Sequence, residues 1–295
     1  MRIELTGEPG DPQQPNEDYV SAALPSSGQG GALVVLDGVT PPREDVGCLH
    51  GVPWFTARLG GALLELSVSR RDMPLSSCLS AALARTAEAH RSTCDLSHTR
   101  TPQATVVAAR WDEESVEHLV LSDSVLLLEH PDGGVTPVLD RRLGQLPPHV
   151  RALRDRVRAL PRGTPERAAA RAEHARAVEA LRNAPDGFHT AAADPSVAAL
   201  AVTGTTPRSE VRTLLALTDG ASRWTEVFRL GDWRELLALV REQGTDTLVA
   251  RVREAERADP DGTAHPRGKA HDDASAAFAE PGPARTARPD AAGRP

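Results

Sequence analysis

The sequence predicts an α+β fold on three observations. Strands and helices come in separate runs rather than in alternation, short apolar strands repeatedly end in a carboxylate beside a turn residue, and a Gly-rich turn joins two strands at hairpin spacing. At 295 residues the chain has room for one large domain or two small ones, at about 150 residues per domain. Patterned sequence runs to about residue 280, predicting a domain over 1–280 and a Pro-, Ala- and Arg-rich disordered tail over 281–295.

Residues 2–6, 18–24 and 32–36 read as strands, separated by Pro, Ser and Gly clusters that interrupt any helix. From Trp54 the apolar period lengthens: Trp54, Leu59, Leu63 and Leu66 share one face and predict a helix over 54–68, with a second over 75–90. Residues 104–108, 118–121 and 125–128 read as strands again, and Asp132-Gly133-Gly134 as a hairpin turn, so 104–139 is expected to be an antiparallel meander. The 150–182 segment holds nine Arg against four acidic residues and reads as a helical pair broken at 161–165. A charge run of this kind is usually solvated surface; the functional alternative is a basic platform for an acidic or phosphorylated partner. Strands at 199–203 and 213–217 follow, then helices over 224–228, 232–241 and 245–259 with Asp232 and Thr245 as N-caps, and a last strand at 274–278.

Composition narrows the function. Hydrophobic residues make up 40% and charged residues 25%, as in soluble globular chains; with nine aromatics in all, Leu, Val and Ala must build the core. A net charge of −7 argues against a general nucleic-acid binder. No run approaches the roughly 20 apolar residues of a membrane span, and the start lacks the apolar stretch of a signal peptide. The expectation is a cytoplasmic protein without nucleic-acid or membrane partners, its oligomeric state open. Cys48, Cys78 and Cys94 form no Cys-x-x-Cys pair, which argues against a disulfide framework and a zinc ribbon; all three are expected to be small buried residues.

Acidic residues recur at strand ends: Asn16-Glu17-Asp18, Asp37-Gly38, Asp123, Asp219-Gly220 and Asp272-Asp273. Any one of them reads as a turn residue. Five along one strand-rich chain suggest a cleft of carboxylates, which repel and protonate unless cations neutralise them; hard Mg²⁺ or Mn²⁺ ions take such oxygen ligands.

In this order and spacing the motifs resemble those of the metal-dependent serine/threonine phosphatases of the type 2C, or PPM, class, and Gly47-Cys48-Leu49-His50-Gly51-Val52-Pro53-Trp54 and Ala191-Ala192-Ala193-Asp194-Pro195 resemble stretches of a divergent bacterial branch of it. Asn16-Glu17-Asp18 resembles the family's first acidic motif, Val34-Val35-Leu36-Asp37-Gly38 its central strand, Ser122-Asp123-Ser124 its Gly-Asp-Ser turn, Leu217-Thr218-Asp219-Gly220 its Ser-Asp-Gly motif, and Asp272-Asp273-Ala274-Ser275 its closing motif. The resemblance implies a four-layer αββα sandwich, two antiparallel sheets flanked by helices, with two Mn²⁺ or Mg²⁺ ions at one end. It implies that Asp37 bridges both ions with the Gly38 carbonyl on the second, that Asp219 and Asp272 complete the first, that Glu17 acts on the second, and that Asp123 serves a third, weaker site. The implied activity is hydrolysis of phosphoserine and phosphothreonine in a phosphoprotein substrate by a metal-activated water.

Two positions depart from the family pattern. Gln13 stands where the family has a phosphate-binding Arg, and Gln supplies neither the charge nor the bidentate fork. After Asp37-Gly38 the chain runs Val39-Thr40-Pro41-Pro42 instead of into His or Met and Gly-Gly. A second reading is therefore a pseudophosphatase that binds a phosphoprotein or regulator without turnover; a third, less favoured, is hydrolysis of a small phosphoester. His50, close to the Asp-Gly loop, is a candidate leaving-group acid, weighed against the more favoured reading that it packs on the helix starting there.

Overall fold

The computed structural model describes residues 1–25, 30–41, 46–161 and 163–282. In chain order the described residues form β1 (Arg2–Glu8), β2 (Tyr19–Ala23) and β3 (Gly31–Leu36), then helices α1 (Val52–Ser69) and α2 (Leu75–His90), then β4 (Val106–Trp111), β5 (Ser115–Leu121), β6 (Val125–Glu129) and β7 (Val135–Leu139). Helices α3 (Pro148–Ala159) and α4 (Pro165–Glu179) lead to β8 (Val202–Pro207) and β9 (Thr213–Leu217). Helices α5 (Asp219–Glu226), α6 (Trp233–Gln243) and α7 (Thr245–Ala258) precede β10 (Ala274–Glu280).

One sheet has the order β1-β10-β9-β6-β7 and the other β2-β3-β4-β5-β8, every pair antiparallel. The sheets face each other through Leu33, Val35, Val107 and Val120 on one side and Leu126, Leu214, Ala216 and Ala277 on the other. The alternate residues of the same strands point outward under helices. Val34, Leu36, Val106 and Leu119 meet Phe55, Leu59, Leu63, Leu79 and Leu83 of α1 and α2, while Val125, Leu127, Leu215 and Phe278 meet Trp224, Leu236, Val240 and Leu248 of α5 to α7. Covering both faces explains why β3, β4, β6 and β9 are buried throughout rather than alternating; each buried leucine or valine contributes about 2 kcal/mol of transfer free energy. The four-layer αββα sandwich is as expected.

Several expectations are corrected in detail. Residues 104–139 are not one meander: β4 and β5 belong to one sheet, β6 and β7 to the other. The chain changes sheets at Ser122-Asp123-Ser124, where Ser122 takes a left-handed φ of 71° and its amide donates to Asp140 Oδ2 at 3.0 Å. The strand expected at 199–203 starts at Val202, because Pro195–Leu200 winds into a 3-10 turn capped by Asp194. The helix expected at 224–228 begins at Asp219. Asp232 caps α6 with a full capping box, but the cap of α7 is Gly244 rather than Thr245. One residue ends α6 and starts α7 there at a φ of 90°, which favours glycine, and the Thr245 hydroxyl bonds Thr6 Oγ1 instead.

The Arg-rich segment is a helical pair joined by the Arg156–Glu173 ion pair at 3.0 Å, and Arg171 reaches across to the Gly268 carbonyl at 2.6 Å. Of the tail, Pro281 and Gly282 are held by Arg208 through their carbonyls; residues 283–295 lie outside the described residues.

Candidate metal centre

The antiparallel register brings the acidic turns to one end of the sandwich. Tyr19 pairs with Leu36, which sets Asp18 and Glu17 beside Asp37. Leu217 pairs with Val125 on one side and Ala276 on the other, so the turns holding Asp123, Asp219 and Asp272-Asp273 open together. Two glycines permit the close approach: a Cβ on Gly38 would strike the Glu17 backbone and Val52, and one on Gly220 would strike the Asp273 carbonyl.

Backbone and hydroxyl groups fix the ring. Asp219 N lies 3.4 Å from Asp37 Oδ2, and Thr218 Oγ1 donates to Asp18 Oδ2 at 3.0 Å. Asp37 N donates to Thr105 Oγ1 at 3.2 Å, itself 2.5 Å from Ser124 Oγ. Asp273 accepts from Gly10 N and Glu17 N at 2.8 and 2.7 Å and ties the N-terminal loop to the last strand.

Asp18, Asp37, Asp123 and Asp219 are half-buried at this end of the sandwich. Desolvation is accordingly the first cause of every shift. It pushes Asp219 up to about 7, with the charges of Asp272 and Asp123 adding, and Asp18 up to about 8, with Asp273 and Asp219 adding. Asp37 is raised well above the carboxylate range by desolvation and by Asp219, Asp18 and Asp123 together; Asp123 and Glu17 are raised as well, desolvation leading in both. Such a set is unfavourable until positive charge enters it.

Some positive charge is built in. Asp272 has both oxygens engaged, Oδ2 by Arg223 and Oδ1 by Lys269, each at 2.7 Å. Arg223 also meets the buried Glu256 at 2.6 Å, and Arg253 meets Glu256 at 2.8 Å and donates to the Asp272 carbonyl at 2.7 Å. Burial by itself raises Glu256, but bonds from Arg253, His271 and Arg223 outweigh it and hold the carboxyl below its usual range. Lys269 also donates to Thr40 Oγ1 at 3.0 Å, which in turn donates to Glu17 Oε2 at 2.5 Å.

The segment from Pro266 to His271 runs between two openings. One, about 1020 Å³, is lined by Glu17, Thr40, Arg253, Arg257, Lys269 and Asp272. The other, about 630 Å³, is lined by Asp123, Asp140, Asp219, Arg223 and Glu226. Every donor the ring offers is oxygen, which suits Mg²⁺ or Mn²⁺.

Of the residues expected at the centre, Glu17, Asp37, Gly38, Asp123, Asp219 and Asp272 do converge on this end. His50 does not: its Nδ1 lies 3.4 Å from Cys94 Sγ and its ring stacks on Trp54 at 4.1 Å between centroids, outside the lining of either opening. The favoured packing on α1 is what is found. Gln13 is exposed on a turn, and the cations lining the larger opening are Arg253, Arg257 and Lys269. Sequence reading passed over Arg223 and Lys269. The signal for Lys269 was available, since it is the one lysine among 34 basic residues, and Arg223 stands one helical turn after Asp219.

No family model matches the chain, and no curated protein matches it by sequence. Solved structures do match. The serine/threonine phosphatase Stp1 from Staphylococcus aureus aligns at 13% identity and a TM-score of 0.56, over 94% of this chain and 94% of that one. The serine/threonine phosphatase PstP/Ppp of Mycobacterium tuberculosis aligns at 17% identity and a TM-score of 0.55, over 95% of this chain and 97% of that one. A catalytic domain of PstP in complex with two manganese ions aligns at 17% and 0.53 over the same shares. The fold is therefore the one seen in bacterial serine/threonine phosphatases, as the type 2C resemblance implied; at these identities the likeness is one of fold. Among the described residues, no helix is long and apolar enough to cross a membrane.

Proposed function

We propose that the chain is a metal-dependent phosphatase of the type 2C class, acting on phosphoserine and phosphothreonine in proteins. The observation that carries the reading is the crowding of Asp18, Asp37, Asp123 and Asp219 into one desolvated ring, which costs stability and is offset by bound divalent cations. Asp37, Asp219 and Asp272 would hold one ion, Asp37, Glu17 and the Gly38 carbonyl a second, and Asp123 a third and weaker one, all Mn²⁺ or Mg²⁺. When bound, such ions supply Lewis acidity toward the phosphoryl group and make water acidic enough to act as nucleophile near neutral pH.

Arg253, Arg257 and Lys269 line the larger opening beside Glu8, Asp11, Glu17, Asp272 and Asp273; carboxylates outnumber cations there, so the charge that attracts a phosphorylated side chain would come chiefly from the bound ions, with Arg257 at the exposed rim. Arg223 and Arg253 orient Asp272 from behind. The test is hydrolysis of an aryl phosphate and of a phosphothreonine peptide with Mn²⁺, with chelator, and by Asp219→Asn. Metal-dependent turnover lost in both controls supports the reading; turnover indifferent to chelator overturns it.

One observation favours the second reading, binding without turnover. Each Asp272 oxygen already accepts a charged hydrogen bond, from Arg223 and from Lys269, which leaves a lone pair on each for an ion but lowers the carboxylate's strength as a ligand. Tight Mn²⁺ binding without hydrolysis of any phosphopeptide supports this alternative.

A further inference from the structure

A second group of ligating side chains lies apart from the carboxylate ring. Cys48 and His50 stand in the loop before α1, His90 is the last residue of α2, and Cys94 follows one helical turn later. Cys48 Sγ lies 3.4 Å from His90 Nδ1 and 3.8 Å from His50 Nδ1, and Cys94 Sγ lies 3.4 Å from His50 Nδ1. All four ligand atoms fall within 4.8 Å of one another, and among the described residues this is the one group of three or more Cys, His, Asp or Glu side chains that closes up so far. This corrects the expectation that the cysteines are merely small buried residues. Cys78 is fully buried, but Cys48 and Cys94 are half-buried thiols turned toward histidines.

We propose that Cys48, His50, His90 and Cys94 form a structural zinc site. Tetrahedral zinc with Zn–S bonds of about 2.3 Å and Zn–N bonds of about 2.0–2.1 Å sets its ligand atoms about 3.4–3.8 Å apart, the range of the three pairs above. Two thiolates and two neutral imidazoles balance the charge of Zn²⁺, and soft sulfur selects it over the Mg²⁺ or Mn²⁺ suited to the carboxylates. Four protein ligands leave no open position, so the role is structural rather than catalytic.

Backbone amides hold the sulfurs in place, and Trp54 holds the rings. Leu49 N donates to Cys94 Sγ and His50 N to Cys48 Sγ, both at 3.4 Å. Trp54 packs on His50 and, at 5.0 Å between centroids, on His90. Asp95 N bonds the Gly47 carbonyl at 2.7 Å, closing the two ligand-bearing segments on each other.

The site clasps the loop after Asp37-Gly38 to the far end of α2. Its ligand His50 is two residues from Val52, whose side chain fills the space a Cβ on Gly38 would need. Zinc there steadies the wall of the carboxylate cleft without taking part in it.

The test is elemental analysis of the full chain purified without chelator, together with the visible spectrum after Co²⁺ replacement. About one zinc per chain is expected, retained in Asp219→Ala and lost in Cys48→Ser and Cys94→Ser, with cobalt giving tetrahedral bands and sulfur-to-cobalt charge transfer. The cobalt spectrum uses the unaltered chain, so it holds even where a cysteine variant fails to fold. A chain without zinc whose cobalt form lacks the sulfur band overturns the proposal. So does a Cys48–Cys94 disulfide found by mass spectrometry under non-reducing conditions.

Discussion

The Asp219 amide nitrogen stands 3.4 Å from the Asp37 carboxylate, joining the end of β9 in one sheet to the end of β3 in the other. The two sheets meet at that contact, and the crowded carboxyls lie around it. Because the ring is costly without cations, removing a carboxylate has opposite effects on stability and on function. Asp219→Asn is expected to stabilise the metal-free protein by about 2 kcal/mol above neutral pH and to lower Mn²⁺-dependent turnover by a factor of about 100 or more. Paired thermal melts and rate measurements check both signs, and a variant destabilised without metal contradicts the electrostatic account.

The same ring dictates a pH dependence. Unfolded aspartates titrate at about 4, while folded Asp219 and Asp18 are raised to about 7 and about 8. Across that interval the folded chain binds more protons, so their contribution is complete below the unfolded value and lost as pH rises through the folded values. Chelated protein is therefore expected to melt at lower temperature at about pH 8 than at about pH 5, and Mn²⁺ to restore most of the difference by binding the ionised form. A melting temperature that climbs over this interval without metal contradicts the reading.

Lys269 competes for the charge that an ion needs. Its ammonium engages Asp272 Oδ1 at 2.7 Å from a half-exposed position, where a pair is worth at most about 1 kcal/mol. Lys269→Ala is accordingly expected to tighten Mn²⁺ binding by up to about fivefold, read by calorimetry. Weaker binding in the variant shows that Lys269 supports the ion's site instead.

Arg223 is the hinge of the buried network. Its guanidinium bridges Glu256 and Asp272, and Glu256 is fully buried. Arg223→Ala leaves Glu256 to Arg253 and His271 alone and is expected to cost about 3 kcal/mol in denaturant unfolding. A loss below about 1 kcal/mol places the weight of the network on Arg253.

Ser122 offers a change in the other direction. A non-glycine residue at a φ of 71° is strained, and Ser122→Gly is expected to gain about 0.5–1 kcal/mol after the entropy glycine adds to the unfolded chain. Destabilisation shows that the Ser122 hydroxyl bond to Asp123 at 3.2 Å outweighs the strain.

What the sequence made legible follows from how local its signals are. Asp37, Asp123 and Asp219 each end a short apolar strand, so a strand pattern with a carboxylate at its edge found them. The same local pattern could not show that Ser122-Asp123-Ser124 carries the chain from one sheet to the other, because β5 and β6 read alike until the partner strand is known. Lys269 and Arg223 act on Asp272 through tertiary contacts with no fixed spacing. The Cys and His ligands come as two halves, Cys48-x-His50 and His90-x3-Cys94, and only the antiparallel packing of α1 and α2 brings the halves together.

The most direct measurement of the central claim is calorimetric titration of chelated protein with Mn²⁺ at about pH 8, beside Asp219→Asn. The account predicts about two ions bound per chain, with at least one lost in the variant and the affinity falling as pH drops through about 7. Absence of binding, or binding that Asp219→Asn and pH leave unchanged, contradicts it.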